Sequence, residues 1–298
     1  MKNKHLIIIG GPTASGKTNL AIQLAQHFNT VILSADSRQF YREMSIGTAK
    51  PTTEELSQAK HLFVNNLSIN DPYTVADYEK EALKALEEIF SQQDVAVMAG
   101  GSGLFIKAVC EGLDEFPDIS EKARGVVDQL YEDEGLTGLQ EALKKADPEY
   151  ALTVDLQNSR RLLRALMVCE SSGKSYSSFL NKNKTERPFI PHYFCLNMDR
   201  ELLYERINKR VDQMIAAGLV EEARKILPYK SHRALQTVGY SELFDYFDGK
   251  HDLPTAIELI KRNSRRYAKR QLTWFRRQEH WEWVEPGEED LIKMKIKN

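Results

Sequence analysis

Cysteine is scarce: the 298 residues hold three, Cys110, Cys169 and Cys195, far apart and in apolar surroundings. That pattern excludes a disulfide framework and supplies no zinc ligand set, so buried free thiols are expected. Long hydrophobic runs are also missing. The run Leu6-Ile7-Ile8-Ile9 stops directly at two glycines, short of a signal-peptide core or a membrane span, which predicts a cytoplasmic protein that does not enter a membrane. Charge of one sign does not dominate. The net charge of −2 excludes a uniformly basic coat, although an average of this kind conceals local patches. Internal repeats and low-complexity segments are absent. What is present, 42% hydrophobic and 28% charged residues, describes an ordinary globular chain long enough for one large domain or two smaller ones.

The apolar pattern predicts an α/β fold. Leu6–Ile9 reads as a buried parallel strand, and Thr18–Phe28 has helical spacing through Leu20, Ile22, Leu24, Ala25 and Phe28. Val31-Ile32-Leu33 and Val95-Ala96-Val97-Met98 are further strands, each followed by a polar or glycine-rich loop. Between them, Thr74-Val75-Ala76-Asp77 has the form of a capping box opening a helix that turns Ala82, Leu83, Leu86, Ile89 and Phe90 inward. From about Phe116 to Pro188 the pattern is helical, ending near Asn181-Lys182-Asn183-Lys184-Thr185. A strand then returns at Tyr193–Asn197, followed by a helix from Arg200 through Ile215 that stops near Gly218, and a long helix from about Pro254 to Gln278 capped by Asp252 or Thr255. The expectation is a P-loop NTPase-like parallel sheet flanked by helices. Residues 1–115 and 189–298 would form the core with its carboxyl-terminal helices, and residues 116–188 an inserted helical subdomain.

The segment Gly11-Pro12-Thr13-Ala14-Ser15-Gly16-Lys17-Thr18 matches G-x-x-x-x-G-K-[ST] in full and lies between strand and helix. Glycines permit close backbone approach, amides and the helix amino terminus face an anion, Lys17 adds charge, and the Thr18 hydroxyl is placed for Mg²⁺. The loop does not name its ligand, since the same cradle accepts nucleotides and other pyrophosphates. Asp36, shortly after the second strand, suits a Mg²⁺ ligand or a general base by spacing alone. Between Leu259 and Gln278 stand eight basic residues, Lys261, Arg262, Arg265, Arg266, Lys269, Arg270, Arg276 and Arg277, and no acidic one. Arg262, Arg265, Lys269 and Arg276 share a helical face, with Tyr267 and Trp274 interleaved. That composition suits either a phosphate-contacting surface or a solvated helix with Trp274 in the core. His280 has no neighbouring cysteine or histidine pair and reads as a surface residue.

The run from Asp36 through Ser37, Arg38, Gln39 and Phe40 to Ser45-Ile46-Gly47-Thr48-Ala49-Lys50-Pro51, with GPTASGKT before it, resembles the tRNA dimethylallyltransferase family. Gly100-Gly101-Ser102-Gly103-Leu104, Arg161-Leu162-Leu163-Arg164-Ala165-Leu166, Val238-Gly239-Tyr240 and Lys269-Arg270-Gln271-Leu272-Thr273-Trp274 extend the resemblance, in order, over nearly the whole chain. It implies transfer of a dimethylallyl group from its diphosphate to the exocyclic amine of the adenosine at tRNA position 37. The loop Gly11 to Thr18 would then hold the diphosphate of the prenyl donor, with Thr18 a ligand of Mg²⁺ as cofactor, Lys17 and Arg210 on the diphosphate, and Asp36 the general base. Ser102 matches a substrate-contacting position that is more often threonine.

The same resemblance implies that an anticodon stem-loop is the RNA partner of a monomer. Its contacts would come from Asp36, Ser37, Arg38 and Gln39 around the target base, Ser102, Arg124, the insertion segment Arg160, Arg161, Leu162, Leu163 and Arg164, the segment Gln236, Thr237, Val238, Gly239, Tyr240 and Ser241, and the stretch Lys269 to Arg276, including Phe275. Arg160 stands where the family more often has glutamine. The target base would have to leave its stack, which a loop base does at lower cost than a paired one. From the residues alone three other readings compete: a small-molecule kinase, a prenyltransferase acting on free adenine nucleotides, and a nucleotide-regulated RNA-binding protein. Basic surfaces in two separate segments count against the first two.

Overall fold

The structure, a computed structural model, describes residues 3–180 and 185–296; Asn181 to Lys184, where the pattern places the end of the helical insertion, lie outside the described residues. The chain divides into two compact units, one of Met1–Glu111 with Arg187–Asn298 and one of Gly112–Glu186.

The first unit begins with β1 (His5–Gly10), α1 (Lys17–His27), β2 (Ile32–Ser34), α2 (Thr53–Gln58), β3 (His61–Leu62), α3 (Val75–Phe90), β4 (Val95–Gly100) and α4 (Gly103–Glu111). The second unit carries α5 (Glu121–Ala146), α6 (Pro148–Thr153) and α7 (Ser159–Ser172). The first then resumes with β5 (Ile190–Leu196), α8 (Arg200–Ala216), α9 (Leu219–Ile226), α10 (Tyr240–Phe247), α11 (Leu253–Arg276), β6 (Glu282–Val284) and α12 (Glu289–Ile296).

Its six strands run in the order β3-β2-β4-β1-β5-β6, every neighbouring pair parallel. The expected phosphate-loop α/β architecture is therefore the one observed. Along β1, Leu6 and Ile8 enter one apolar cluster while Ile7 and Ile9 enter another. A strand covered by helices on both faces is apolar at every position, which is why the run reads as continuous rather than alternating. Register brings the carboxyl ends of the strands together: Gly10 lies opposite Gly100 and Cys195, and Ser34 opposite Ala99. The loops after β1, β2 and β4 consequently open at one edge of the sheet.

The helix ends follow their capping residues. Thr74 Oγ1 accepts from Asp77 N at 3.2 Å while the Asp77 carboxylate accepts from Thr74 N at 2.8 Å, the reciprocal box expected at the start of α3. Asp252 rather than Thr255 caps α11: its Oδ1 accepts from Thr255 N at 2.9 Å, and Pro254 occupies the first turn. Gly218, at φ +99°, takes the left-handed turn between α8 and α9. The pattern did not announce β3 and β6, edge strands of two and three residues, nor the short helices α2, α9, α10 and α12. Cys110 and Cys195 are buried as expected, whereas Cys169 is half-buried.

The second unit has its own apolar core of Leu139, Leu143, Leu162, Ala165 and Leu166 from α5 and α7. Gly135 (φ +63°) breaks α5 into two runs. Buried Asp147 caps α6 by accepting from Tyr150 N at 3.0 Å, and also accepts from Ser177 N at 2.6 Å and Ser177 Oγ at 2.9 Å. Each of these donors replaces water that burial removes from the carboxylate oxygens.

Candidate active site

The loop between β1 and α1 wraps the amino terminus of α1. Ala14 (φ +65°) and Gly16 (φ +98°) reverse the chain, and a side chain added at Gly16 would meet nothing, so conformation rather than space requires glycine there. Lys17 Nζ folds back to donate to Pro12 O at 2.6 Å. Burial, opposed by Asp36 and reinforced by Arg210, lowers the Lys17 ammonium to about 8. Ser15 Oγ is fully buried with no hydrogen-bond partner among the described residues. The amides of Lys17 and Thr18 belong to the first turn of α1, where a helix offers donors without intrahelical acceptors.

The loop after β2 brings Asp36 to the same cleft. Its Oδ1 accepts from Arg38 N at 3.0 Å, an Asx turn that fixes the carboxylate at the loop entrance. From β4 the Gly100–Gly103 turn meets this loop. Ser102 N donates to Ala35 O at 3.2 Å, and Ser102 Oγ accepts from Ser37 N at 3.1 Å. A side chain at Gly100 would collide with the Ala35 backbone, so the two loops can approach this closely only with glycine.

Two helices form the opposite wall. Arg210, on α8, donates from Nη1 to Thr13 Oγ1 at 3.3 Å; burial lowers its guanidinium pKa and Asp36 opposes that shift. On α11, Tyr267 lines the cleft from an exposed position and Gln271 from a buried one. Tyr267 borders Asp36, and burial pushes its phenol up to about 12. Gln271 Oε1 accepts from Thr13 N at 2.9 Å and its Nε2 donates to Gly101 O at 3.0 Å. The enclosed space is about 440 Å³ and is lined by Lys17, Thr18, Asp36, Arg210, Val238 and Tyr267 among others. It joins charged and polar groups to apolar side chains that include Ile207, Val211, Met214 and Ile260. Such a cleft accepts a doubly charged anion at one end and a small hydrocarbon beside it.

The sequence-predicted residues divide by position. Thr13, Ala14, Gly16, Lys17, Thr18, Asp36, Arg38, Gln39, Arg210, Thr237, Val238, Gly239 and Gln271 all line this cleft, and Ser37 and Ser102 hold its rim. Gly11, Pro12 and Ser15 are buried behind it. Gln236, Lys269, Arg270, Thr273 and Arg276 are exposed, Ser241 and Leu272 are half-buried, and half-buried Trp274 packs where a side chain at Gly103 would stand. In the second unit Arg124, Arg160, Arg161 and Arg164 are exposed, with Arg164 5.6 Å over the Phe116 ring, and Leu163 packs against the local core.

Four residues of the expected RNA-facing segments turn inward instead. Leu162 and Phe275 are core residues, Tyr240 is fully buried, and Gln271 is 7% exposed. The insertion and α11 segments are amphipathic helices that present some of their side chains to the core, and Tyr240 opens α10 with its side chain buried. Sequence reasoning missed Glu222. Its carboxylate accepts from Ser45 N, Ile46 N and Gly47 N at 2.8 to 3.0 Å and from Tyr240 Oη at 2.6 Å. The only trace in the sequence is that both segments it joins belong to the recognised motifs. His280 is exposed and lies 4.2 Å, ring to ring, from Tyr193. Among the described residues no cluster of three His, Cys, Asp or Glu could hold a metal, and no helix is long and apolar enough to cross a membrane.

Comparison with known proteins decides the family. The model of the IPP transferase family matches residues 39–278. The chain belongs to the IPP transferase family. A tRNA dimethylallyltransferase of Christiangramia forsetii is 53% identical over 99% of each chain. A solved tRNA isopentenylpyrophosphate transferase of Bacillus halodurans has 36% identity and a TM-score of 0.71, covering 98% of this chain and 94% of its own. A eukaryotic dimethylallyltransferase, solved acting on tRNA, has 25% identity and a TM-score of 0.80 over 95% of this chain and 74% of its own. In each of these three comparisons the resemblance covers at least 95% of this chain.

Proposed function

We propose that this IPP transferase moves a dimethylallyl group from dimethylallyl diphosphate to the exocyclic amine of the adenosine at tRNA position 37, in the cytoplasm, and releases diphosphate. The observation that carries the reading is the meeting of the phosphate loop, Asp36 and Arg210 around one cleft, with the exposed basic residues of α11 on the helix that forms its wall. The adenine nitrogen attacks the allylic carbon; that carbon's bond to the diphosphate oxygen breaks, and its electron pair leaves with the diphosphate. The amine becomes acidic as its new bond forms, and the Asp36 carboxylate takes the proton. Lys17, Arg210 and the amides at the start of α1 stabilise the charge gathering on the leaving oxygens.

Mg²⁺ fits this site chemically. The Thr18 hydroxyl is a hard oxygen donor lining the cleft, which suits an ion that takes most of its oxygens from diphosphate and water. The ion would add positive charge at the leaving group. Thr18 would hold it.

The test is incubation of the protein and Mg²⁺ with labelled dimethylallyl diphosphate and either unmodified tRNA or AMP, followed by mass analysis of the nucleosides. Label in a tRNA adenosine is the expected result. Label in AMP alone, or none with intact donor, overturns the proposal.

A further inference from the structure

We propose that Gln271 is a positioning residue for the phosphate loop, acting through Thr13 rather than by touching RNA. It lies within the basic stretch of α11, between exposed Arg270 and half-buried Leu272, yet its own side chain is 7% exposed and points into the sheet edge. There it joins two loops that no backbone hydrogen bond joins at these atoms: Thr13 N donates to its Oε1 and its Nε2 donates to Gly101 O. Only one of the two amide orientations meets a donor on one side and an acceptor on the other, so this contact requires a primary amide of this length. Glutamate lacks the donor when ionised, and methionine lacks both polar groups. A side chain at Gly101 would collide with the Gln271 amide, so the glycine-rich turn after β4 is shaped to receive it.

The consequence falls on the loop. Thr13 is held from two directions, its amide by Gln271 and its hydroxyl by Arg210 Nη1. With its N–H engaged by Gln271, Thr13 sets the chain direction entering Ala14, whose left-handed conformation carries the loop over to Gly16 and Lys17. A loop that must present several donors to one anion loses affinity when one anchor slackens, because the ordering cost is then met at binding. Gln271 therefore tunes the diphosphate site through the Thr13 amide, and Arg210 tunes it through the Thr13 hydroxyl.

This inference rests on the loop being a diphosphate site, and binding can test it apart from catalysis. The full chain is compared as wild type, Gln271→Met, Thr13→Val and the double variant. Affinity for inorganic pyrophosphate with Mg²⁺ is read by calorimetry, affinity for unmodified tRNA separately, and KM for dimethylallyl diphosphate against kcat by single-substrate titration. Gln271→Met should weaken pyrophosphate binding and raise the donor KM about tenfold, with tRNA affinity within about twofold of wild type. The intact tRNA affinity reports that the variant is folded. The losses in the double variant should fall short of the product of the two single losses, because both act on Thr13. Unchanged pyrophosphate affinity in Gln271→Met overturns the assignment. So does a loss confined to tRNA, which returns Gln271 to the RNA surface, or a double variant whose losses multiply. If wild type binds pyrophosphate but transfers no prenyl group, the proposed reaction fails while the role of Gln271 is still decided by the binding series.

Discussion

Ser102 Oγ accepts the amide proton of Ser37 across 3.1 Å, so the residue following Asp36 is tied to the residue that precedes α4. Ser102 also holds the residue that follows β2, through its amide on Ala35 O. The carboxylate is thus positioned by a bond that needs only a hydroxyl, which serine supplies as well as threonine would. Removing it in Ser102→Ala should lower kcat about tenfold and leave tRNA affinity nearly unchanged. Single-turnover transfer under saturating donor measures this; a normal rate would separate Ser102 from the placement of Asp36.

Asp36→Asn keeps an oxygen for Arg38 N but removes the proton acceptor. The rate of transfer should fall by roughly 10²- to 10⁴-fold, with tRNA affinity close to wild type. Loss of affinity with normal single-turnover chemistry would assign Asp36 to binding instead.

Much of this site was legible because its parts are local. The eight residues from Gly11 to Thr18 are contiguous, a capping box closes within one turn at Thr74 and Asp77, and the apolar run of β1 declares a strand covered on both faces. What escaped depends on contacts across long separations. Gln271 looks like one more polar residue of a basic helix until the fold brings it to Thr13 and Gly101. Glu222 looks like a solvated helix acid until its carboxylate meets three backbone amides near Gly47. The inward turn of Leu162, Tyr240 and Phe275 has the same origin, since a motif marks a segment but the core decides which side of its helix is hidden.

Donor binding should respond to pH through Lys17. Its ammonium is lowered to about 8 chiefly by burial, so in the free protein it is charged below that pH and neutral above it. An anion needs the charged form. Affinity for pyrophosphate is therefore expected to be full below pH about 8 and to fall as pH rises through that value, whereas Lys17→Met should bind weakly throughout. Calorimetry across pH 6 to 9 checks both curves, and parallel profiles for the two proteins would remove Lys17 from the site. The linkage has a second sign. An ammonium whose pKa is depressed on folding disfavours the folded state when charged, so Lys17→Met should stabilise the ligand-free protein at neutral pH, by about 1 kcal/mol after allowance for its partial exposure.

The proposed attraction for RNA should reside in the exposed basic residues of α11. Lys269 and Arg270 are exposed, and Arg265 donates to Asn208 Oδ1 from the side of the helix nearest α8. Neutralising the three together should weaken tRNA binding by one to two orders of magnitude at low salt and flatten the dependence of affinity on salt by about two to three counterions. Binding measured over a salt series decides it: an unchanged slope would move the phosphate contacts to another surface.

Glu222 makes a stability prediction that leaves the chemistry aside. One carboxylate gathers the amides of Ser45, Ile46 and Gly47 and the phenol of Tyr240, while a side chain at Gly47 would collide with the Tyr240 ring. Burial, reinforced by the same carboxylate, pushes the Tyr240 phenol pKa far up, keeping that hydroxyl a donor. Glu222→Gln supplies one oxygen and one amide group to a site that offers only donors, so at least one N–H must face another donor. Losing charge-assisted bonds while leaving half-buried donors unpaired should cost about 2 to 3 kcal/mol. In urea unfolding this appears as a lower midpoint at constant slope, because the surface exposed on unfolding does not change. Glu222→Asp retains the charge but shortens its reach, and should fall between the two. A midpoint for Glu222→Gln equal to wild type would mean that the Ser45–Gly47 turn is held by its own backbone and by Tyr240 packing alone.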